Sequence, residues 1–358
     1  MQTFDSYKDV GYNQVMRPQF HFTPLKNWTN DPNGMVWYDG EYHLFFQHNP
    51  LGPKWGNMTW GHAISTDMVQ WKQLPHAILP YSGGTIFSGT AVVDHNNSLG
   101  KQKGDTKTLV AVFTFAREPF FQAGAYSTDK GRTFQLINNG AALVPNQGFD
   151  KGERDPKVFW HEPSKKWVLV LWVKLAENAG KSSATPGKVR FFTSENLTEW
   201  KVSSDFDREW VYECMDFVEL PVDGNPNNKK WLLYDASFDY EIGDFDGNVF
   251  TTDKKVLKGD AGTNFYAAQT FNNSPDRRTV MIGWMSDDTN SFLKANMPFN
   301  QQMSFPTNMS LKTTAEGVRL FRWPVKEIEQ LYVKTYSFKN LPAKKAIKKL
   351  TDINAELL

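Results

Sequence analysis

Short apolar runs separated by polar turns are the feature that most constrains the fold of this chain. Helical periodicity is nearly absent before residue 320, while runs of five or six apolar or alternating residues follow turn segments such as Tyr38-Asp39-Gly40-Glu41. A pair of short runs joined by a polar turn is typical of an antiparallel β-hairpin. Five hairpins are predicted, and their second strands lie at residues 42–46, 108–113, 167–172, 230–234 and 279–284.

A weak internal repeat connects these hairpins. Four segments each precede an aromatic residue, and the aromatic positions are 50 to 66 residues apart. This spacing, with about four strands per unit, is typical of propeller blades. We therefore predict an all-β protein with a five-bladed β-propeller in residues 1–322, and the alternative is an irregular sandwich. The segments are Ser65-Thr66-Asp67 before Trp71, Ser127-Thr128-Asp129 before Phe134, Thr193-Ser194-Glu195 before Trp200, and Asp244-Phe245-Asp246-Gly247 before Phe250.

The sequence changes character after Leu320. Residues 324–331 carry apolar side chains at 325, 328 and 331, which predicts a short helix, and residues 333–338 alternate like a strand. We expect residues 323–358 to form a linker and the beginning of a second, incomplete domain. The lysine pairs at 344–345 and 348–349 indicate a solvated helix or loop face.

Three acidic residues occupy similar positions relative to the repeat. Asp31, Asp155 and Glu213 each precede the repeat aromatic of their own unit by 37 to 45 residues, just before the first strand of a hairpin. Because first strands line the axis of a propeller, equal phase predicts that the three carboxylates meet at one funnel mouth. Arg154 is the counter-charge that such a cluster needs.

A carboxylate cluster of this kind suits glycoside cleavage. The charge of its neighbours raises the pKa of one carboxyl group, which then serves as a proton donor, while another stays ionised and attacks. One carboxyl group as proton donor and one as nucleophile are what a double-displacement mechanism requires. A calcium site is the alternative interpretation, and Arg154 among the acids argues against it.

The remaining composition excludes several classes of function. Cys214 is the only cysteine and the seven histidines show no His-Glu-x-x-His spacing, so we expect no disulfide, metal or cofactor. The net charge of +1 and the absence of a long basic run argue against nucleic acid. No apolar run approaches the ~18 residues of a membrane helix, and residues 1–5 do not resemble a signal peptide. Aromatic residues make up 15% of the chain, which suits a carbohydrate-binding surface.

Ordered motifs extend over roughly residues 18–325 and include Asn-Asp-Pro-Asn-Gly at 30–34, Arg-Asp-Pro at 154–156 and Glu-Cys at 213–214. Together they resemble glycoside hydrolase family 32, the β-fructofuranosidases that include invertases, levanases and inulinases. The resemblance implies a five-bladed propeller followed by a β-sandwich, of which residues 323–358 would be the first part. Further matching blocks lie at residues 17–24, 42–47, 54–62, 87–89, 243–247, 265–269 and 282–285.

The resemblance also implies roles for individual residues. Asp31 corresponds to the nucleophile, Glu213 to the general acid/base, and Asp155 to the residue that stabilises the transition state. Trp55 and Trp284 would wall the sugar pocket, although burial in the core is the alternative for each. The positions that match the fructose-binding set are Asn30, Gln47, Trp55, Phe87, Ser88, Arg154 and Trp284.

The expected activity is therefore retaining cleavage of β-D-fructofuranosidic bonds in levan, inulin or sucrose. A fructosyltransferase that replaces water by a sugar hydroxyl is the first alternative, and a fructan-binding propeller without turnover is the second. Because polymeric fructans occur outside the cytoplasm, we expect a secreted, periplasmic or cell-surface location, with a cytoplasmic location as the alternative.

Overall fold

The computed structural model describes residue 7 and residues 10–174 and 187–353. Residues 1–5, where we expect no signal peptide, lie outside this part of the chain, as do parts of both predicted domains. The described residues form 23 strands and a few short helices. The all-β prediction is confirmed.

Strands β1 and β2 are the centre of the first sheet. They pair antiparallel, and a short strand late in the chain, β20, adds to β1 in parallel. The sheet order is β20-β1-β2-β3-β4. Its strands are β1 (Asn27–Tyr38), β2 (Glu41–Asn49), β3 (Thr59–Ser65), β4 (Lys72–Ile78) and β20 (Phe299–Asn300).

The second and third sheets each contain four consecutive antiparallel strands in simple up-and-down order. A 3-10 helix, Ile137–Gly140, follows the second sheet. The strands of the second sheet are β5 (Thr85–Asp94), β6 (Thr108–Ala116), β7 (Phe121–Ser127) and β8 (Gln135–Leu136). Those of the third are β9 (Arg154–His161), β10 (Lys166–Lys174), β11 (Gly187–Ser194) and β12 (Lys201–Asp207).

A ten-stranded sheet follows, and it consists of two parts. In the described part of the chain, the two parts meet in a parallel pairing at a single residue pair, Val222 with Leu311. The first part contains β13 (Asp216–Val222), β14 (Asn225–Tyr234), β15 (Asp239–Phe245), β16 (Phe250–Thr252) and β17 (Leu257–Lys258). The second contains β18 (Phe265–Thr270), β19 (Thr279–Met285), β21 (Gln302–Met303), β22 (Thr307–Thr314) and β23 (Gly317–Pro324), with α1 (Ser291–Lys294) in the connection after β19.

The five predicted hairpins are confirmed as β1–β2, β5–β6, β9–β10, β13–β14 and β18–β19. The second strands β6 and β10 read as nearly continuous apolar runs because both of their faces are buried. In β10, Leu169 and Leu171 pack into one hydrophobic cluster, while Val168, Val170 and Trp172 pack into the next. Strands that are buried on both faces lose the apolar-polar alternation of half-exposed strands.

Five large hydrophobic clusters join these strand groups in cyclic order. The clusters lie between the first and second sheets, the second and third, the third and the first part of the ten-stranded sheet, and the two parts of that sheet. The fifth returns to the beginning, because Phe271, Val280 and Ile282 pack against Leu44 and Phe46 of β2. Each group is therefore held by apolar burial against two neighbours.

The repeat segments are turns before outer strands, as predicted, but one alignment was wrong by one residue. Ser65, Ser127 and Ser194 each donate from Oγ to a side-chain oxygen two residues later, at Asp67, Asp129 and Asn196. The third copy is thus Ser194-Glu195-Asn196, and Asn196 replaces aspartate because an amide oxygen also accepts the turn's N–H groups. The residues three positions after each serine, Met68, Lys130 and Leu197, all have φ between 59° and 65°.

Residues Met1–Val325 and Lys326–Leu358 form two separate compact units. In the second unit, a 3-10 helix (Lys326–Leu331) and α2 (Ala343–Thr351) are present. The strand predicted at 333–338 is wrong, because none of the described residues 326–353 is in a strand. An alternating sequence needs a paired neighbour to satisfy its backbone N–H and C=O groups, and this unit provides none among those residues.

Candidate active site

All ten residues predicted for the site line one cavity of about 1060 Å³. Most of them lie on or near the first strands of the hairpins, β1, β5 and β9, and on the segment that precedes β13. The remaining ones come from β2, β19 and the loop before β3. The ten residues are Asn30, Asp31, Gln47, Trp55, Phe87, Ser88, Arg154, Asp155, Glu213 and Trp284.

Asp31 lies inside β1 and Asp155 inside β9, so the prediction that each precedes its strand is wrong for both. The pairing of β1 with β2 shifts register between Thr29 and Pro32 and again between Asn33 and Val36. Such irregularities re-aim a side chain without ending the strand. Gly34 has φ of 53°, and a Cβ there would lie 2.7 Å from atoms of Phe45 and Trp60. The Asn-Asp-Pro-Asn-Gly segment therefore forms a bulged strand that turns Asp31 towards the cavity.

Three side chains donate hydrogen bonds to the Asp31 carboxylate. Ser88 Oγ donates to Oδ2 over 2.6 Å, Asn30 Nδ2 to Oδ1 over 3.1 Å, and Cys214 Sγ to Oδ2 over 3.4 Å. Burial raises the pKa of Asp31, as does the charge of Glu213, whereas the bonds from Ser88 and Asn30 lower it. The carboxylate is held in one orientation by donors on both of its oxygens.

Ser88 is connected to Gln47 through Asn33. The Asn33 amide lies where its oxygen accepts from the backbone N–H and the Nε2 of Gln47 and its nitrogen donates to Ser88 Oγ over 3.1 Å. Gln47 is 2% exposed and Asn33 is fully buried. Neighbouring strands thus fix the donors to Asp31 through a chain of amide and hydroxyl groups.

Asp155 is the most buried of the three acids, with 4% of its surface exposed. Its Oδ2 accepts the backbone N–H of Cys214 over 2.9 Å and the Cys214 thiol over 3.4 Å. The pKa of Asp155 is raised to about 7, because burial and the charges of Glu213 and Asp31 together outweigh the lowering by Arg154. Burial is the largest cause of the raised pKa at both Asp31 and Asp155, and the charge of neighbouring carboxyl groups adds to it.

Arg154 joins Glu213 to Asp155. Its Nη2 lies 2.6 Å and its Nε 2.8 Å from Glu213 Oε2, and Nε lies 3.8 Å from Asp155 Oδ2. The guanidinium stacks on Trp172, 4.6 Å from the ring centroid. Burial alone lowers the pKa of Arg154, but Glu213 and Asp155 together raise it above its ordinary value. Arg154 therefore stays charged and orients Glu213.

Two residues of the site were not singled out by sequence reasoning as functional. Tyr266 donates from Oη to Glu213 Oε1 over 2.8 Å, so each oxygen of Glu213 has a partner. Cys214 Sγ lies 3.4 Å from Oδ2 of both Asp31 and Asp155, so its single S–H donates to one of them at a time. Tyr266 and Cys214 both lie in blocks that match the family motifs. The presence of an aromatic hydroxyl group within such a block could have indicated that Tyr266 belongs to the site.

Aromatic side chains form part of the cavity wall. Trp55 is 60% exposed and contacts Phe87 edge-on at 6.0 Å between centroids. Trp284 is partly buried, contacts Trp28 and Tyr266 at 6.1 Å each, and donates from Nε1 to Gln301. Both Trp55 and Trp284 line the cavity, so neither is a core tryptophan.

Among the described residues, no group of three His, Cys, Asp or Glu side chains is arranged to hold a metal ion. Within that same part of the chain, no helix is long and apolar enough to cross a membrane. What the cavity offers is a trio of carboxyl groups with fixed partners, one arginine and aromatic walls.

Comparison with known proteins identifies the family. The family model for the N-terminal domain of glycosyl hydrolases family 32 matches residues 21–324. The chain belongs to glycoside hydrolase family 32. Asp31, Asp155 and Glu213 all lie within the matched range, and so do the other seven predicted site residues.

The relatives that this chain matches include proteins named as fructan hydrolases. A levanase of Bacillus subtilis is 44% identical over 92% of this chain, and an extracellular exo-inulinase of Aspergillus awamori is 35% identical over 87%. A solved fructofuranosidase of Schwanniomyces occidentalis, complexed with fructosylnystose, superposes with a TM-score of 0.76 at 32% identity, over 88% of this chain and 64% of that one. The chain spans 50% of the levanase and 65% of the exo-inulinase.

Proposed function

We propose that this family 32 chain is a retaining glycosidase that hydrolyses β-D-fructofuranosidic bonds. The observation that carries the proposal is the pairing of two differently held carboxyl groups in one cavity. Asp31 is oriented by Ser88 and Asn30, and Glu213 by Arg154 and Tyr266. The names of the levanase and exo-inulinase relatives support the same chemistry.

In the first step, Glu213 donates its proton to the leaving glycosidic oxygen while Asp31 attacks the anomeric carbon, C2. The C2–O bond to the leaving group breaks as the ester between fructose and Asp31 forms. In the second step, Glu213 accepts a proton from a water whose oxygen attacks C2, and the ester breaks to release fructose. Both carboxyl groups return to their starting states.

Asp155 would stabilise the transition state by accepting hydrogen bonds from fructose hydroxyls. Its carboxylate lies between Cys214 and Arg154 and close to Asp31 through the shared thiol. Hydroxyl contacts that strengthen as the sugar ring flattens contribute to glycoside cleavage. Asn30, Gln47, Ser88 and Arg154 would complete the polar side of the fructose site, with Trp55, Phe87 and Trp284 as its apolar walls.

The substrate class that we propose is fructan of the levan or inulin type, with sucrose as a smaller β-fructoside. The relatives' names indicate levan and inulin. An extracellular location is proposed for the same reason, since one relative is described as extracellular. Retention requires the carboxyl groups of Asp31 and Glu213 to lie ~5–5.5 Å apart.

For the fold, we propose a five-bladed β-propeller over residues 1–322. Five hairpins and five clusters in cyclic order support five blades. The ten-stranded sheet counts as two of them, because among the described residues its two parts pair through Val222 and Leu311 alone. Residues 323–358 would be a linker and the first part of a β-sandwich domain, as the family resemblance implies.

Removing each reacting carboxyl group tests the activity. Asp31→Asn and Glu213→Gln should each lower kcat for fructose release by roughly three orders of magnitude or more, because each removes a reacting group. Sucrose, inulin and levan are the substrates, and chromatographic sizing of the products distinguishes fructose from transferred oligofructosides.

Asp105→Asn and Glu195→Gln, at exposed positions, are the matched controls and should keep the wild-type rate. Near-normal fructose release by folded Asp31→Asn would overturn the assignment of the nucleophile. Fructose binding measured by calorimetry shows whether the variants keep the cavity intact.

A further inference from the structure

One wall of the cavity carries an ion pair that the proposed reaction does not use. Lys174 Nζ lies 3.3 Å from Asp150 Oδ2, and both residues line the cavity. The Lys174 side chain is 2% exposed and that of Asp150 is 16% exposed. Because both side chains are largely buried, the two residues form a fixed polar part of the cavity wall. They differ in this from an ion pair that is exposed to solvent.

We infer that Lys174 and Asp150 bind the sugar on the leaving-group side of the bond that is cleaved. This inference rests on the proposed function, because it assigns to Lys174 and Asp150 the binding of the second sugar unit in the same cavity. The ligand class is a neutral polyhydroxy sugar, namely the next fructosyl or glucosyl unit of the substrate.

Strand geometry places Lys174 beyond the residue that orients the proton donor. Arg154 stacks on Trp172 and pairs with Glu213, and Lys174 follows Trp172 by two residues on β10. Residues i and i+2 of a strand point to the same face and are separated by roughly 7 Å along it. Lys174 therefore lies roughly 7 Å beyond Trp172 on the same face of β10, and it lines the cavity together with Arg154 and Glu213.

The loop that carries Asp150 is fixed to the same arginine. Arg154 Nη1 donates to the backbone oxygen of Gly152 over 2.7 Å, and the Gly152 N–H donates to Asp150 Oδ1 over 2.8 Å. Asn146 Nδ2 donates to the backbone oxygens of Asp150 and Phe120 over 2.8 and 3.1 Å. The position of Asp150 is thus coupled to that of Glu213 through Arg154.

The buried side chain of Glu153 also holds this loop in place. The Glu153 carboxylate is fully buried and accepts backbone N–H groups of Gln147 and, over 2.9 Å, of Phe149. Arg190 donates to the Gln147 side chain and stacks on the Phe149 ring, 4.7 Å from its centroid. Because the loop is held by its own backbone contacts, Asp150 and Lys174 form a surface that exists before the sugar binds, which lowers the entropy lost on binding.

The chemistry of the pair fits a sugar better than an anion. A carboxylate accepts hydroxyl protons and an ammonium group donates to hydroxyl oxygens, so together they match vicinal diols. The pair has no net charge, whereas the other described charged residues that line the cavity are four acids against two bases: Asp31, Glu118, Asp155 and Glu213 against Lys151 and Arg154. An anionic leaving group would be repelled there, and a neutral sugar would not.

The test compares a substrate that has a leaving sugar with one that lacks it. The full chain and its Lys174→Met and Asp150→Asn variants are assayed with a β-fructosyl trisaccharide and with methyl β-D-fructofuranoside. In each variant the ratio of kcat/KM for the trisaccharide to kcat/KM for the methyl fructoside should fall about tenfold, because charged hydrogen bonds to the sugar are lost. Lys166→Met, the same substitution at the other end of β10, should keep the wild-type ratio.

An unchanged ratio in folded Lys174→Met and Asp150→Asn would overturn the inference, and so would an equal loss on both substrates. Asp150→Asn preserves the shape of the side chain, so it covers the case in which Lys174→Met fails to fold. If the wild-type chain releases fructose from neither substrate, the proposed function fails instead. Inhibition by free fructose, which needs only the fructose site, reports whether that site is intact in every variant.

Discussion

At the scale of single residues, Asp31 and Glu213 differ in what holds them. Asp31 accepts from a serine, an asparagine and a thiol, whereas Glu213 pairs with a guanidinium and a tyrosine hydroxyl. All of these donors favour the ionised form of the carboxyl group that they contact. The roles proposed for the two acids therefore follow from the family motifs in which they lie, and the partners fix the orientation of each carboxyl group.

Ser88→Ala should move the acidic limb of the activity profile to higher pH. Ser88 donates to Asp31 and lowers its pKa, so removal of the hydroxyl raises the pKa of a group that must be ionised to attack. The expected shift of the acidic limb of kcat/KM is about one pH unit. The pH dependence of kcat/KM reports this limb for the free enzyme.

Two further variants serve as comparisons for Ser88→Ala. Cys214→Ala should shift the limb in the same direction by less, because a thiol is a weak donor. Ser98→Ala removes a hydroxyl that bonds Trp167 outside the cavity and should leave the limb in place. An acidic limb that stays fixed in Ser88→Ala would contradict the proposed ionisation of Asp31.

At the scale of elements, a buried ion pair fixes the strands that carry the acids. Lys157 Nζ lies 2.8 Å from Asp216 Oδ1, with side chains 1% and 0% exposed. Thr270 of β18 bonds both partners, over 3.0 and 2.8 Å. Since Lys157 follows Asp155 by two residues and Asp216 follows Glu213 by three, the pair sets the relative position of β9 and β13 next to the site.

Lys157→Met should lower the free energy of unfolding by about 3–5 kcal/mol, because Asp216 is then buried without its countercharge. Lys229→Met provides the matched control, since Lys229 pairs with Glu219 at the surface with side chains 45% and 36% exposed. Its cost should stay below about 1 kcal/mol. Urea unfolding at neutral pH measures both, and equal costs would show that the buried pair does not hold the strands.

At the scale of the whole molecule, the five large clusters and the cavity lie within the unit Met1–Val325. The described residues of the second unit, 326–353, include no buried side chain, and Val333 is 93% exposed. The second unit therefore contributes little apolar burial of its own, whereas the first unit buries most of its large apolar side chains.

Brief trypsin treatment should cut this chain first within residues 326–353, where several lysines are exposed. The product that retains residues up to the first cut should keep fructosidase activity, because every proposed site residue precedes Val325. Mass spectrometry locates the cuts, and fructose release is assayed on the same samples. Loss of activity in step with the first cut would show that residues beyond 325 are needed for the site.

The sequence alone predicted features whose causes are local. Turn residues and apolar runs determine hairpins within a few positions, so the five hairpins and the outer strands after the serine turns are as predicted. The continuous runs in β6 and β10 also carried information, because burial on both faces removes alternation. Motifs around Asp31, Asp155 and Glu213 indicated family 32.

The tertiary structure decided what depends on contacts between distant segments. The bulge that places Asp31 inside β1 depends on pairing with β2, and the Asn196 turn depends on which side chain reaches the backbone. The predicted strand at 333–338 is absent because pairing needs a partner that local alternation does not supply. The pairs Tyr266–Glu213 and Lys174–Asp150 join residues 53 and 24 positions apart, and only the closing of strands around the cavity brings such side chains together.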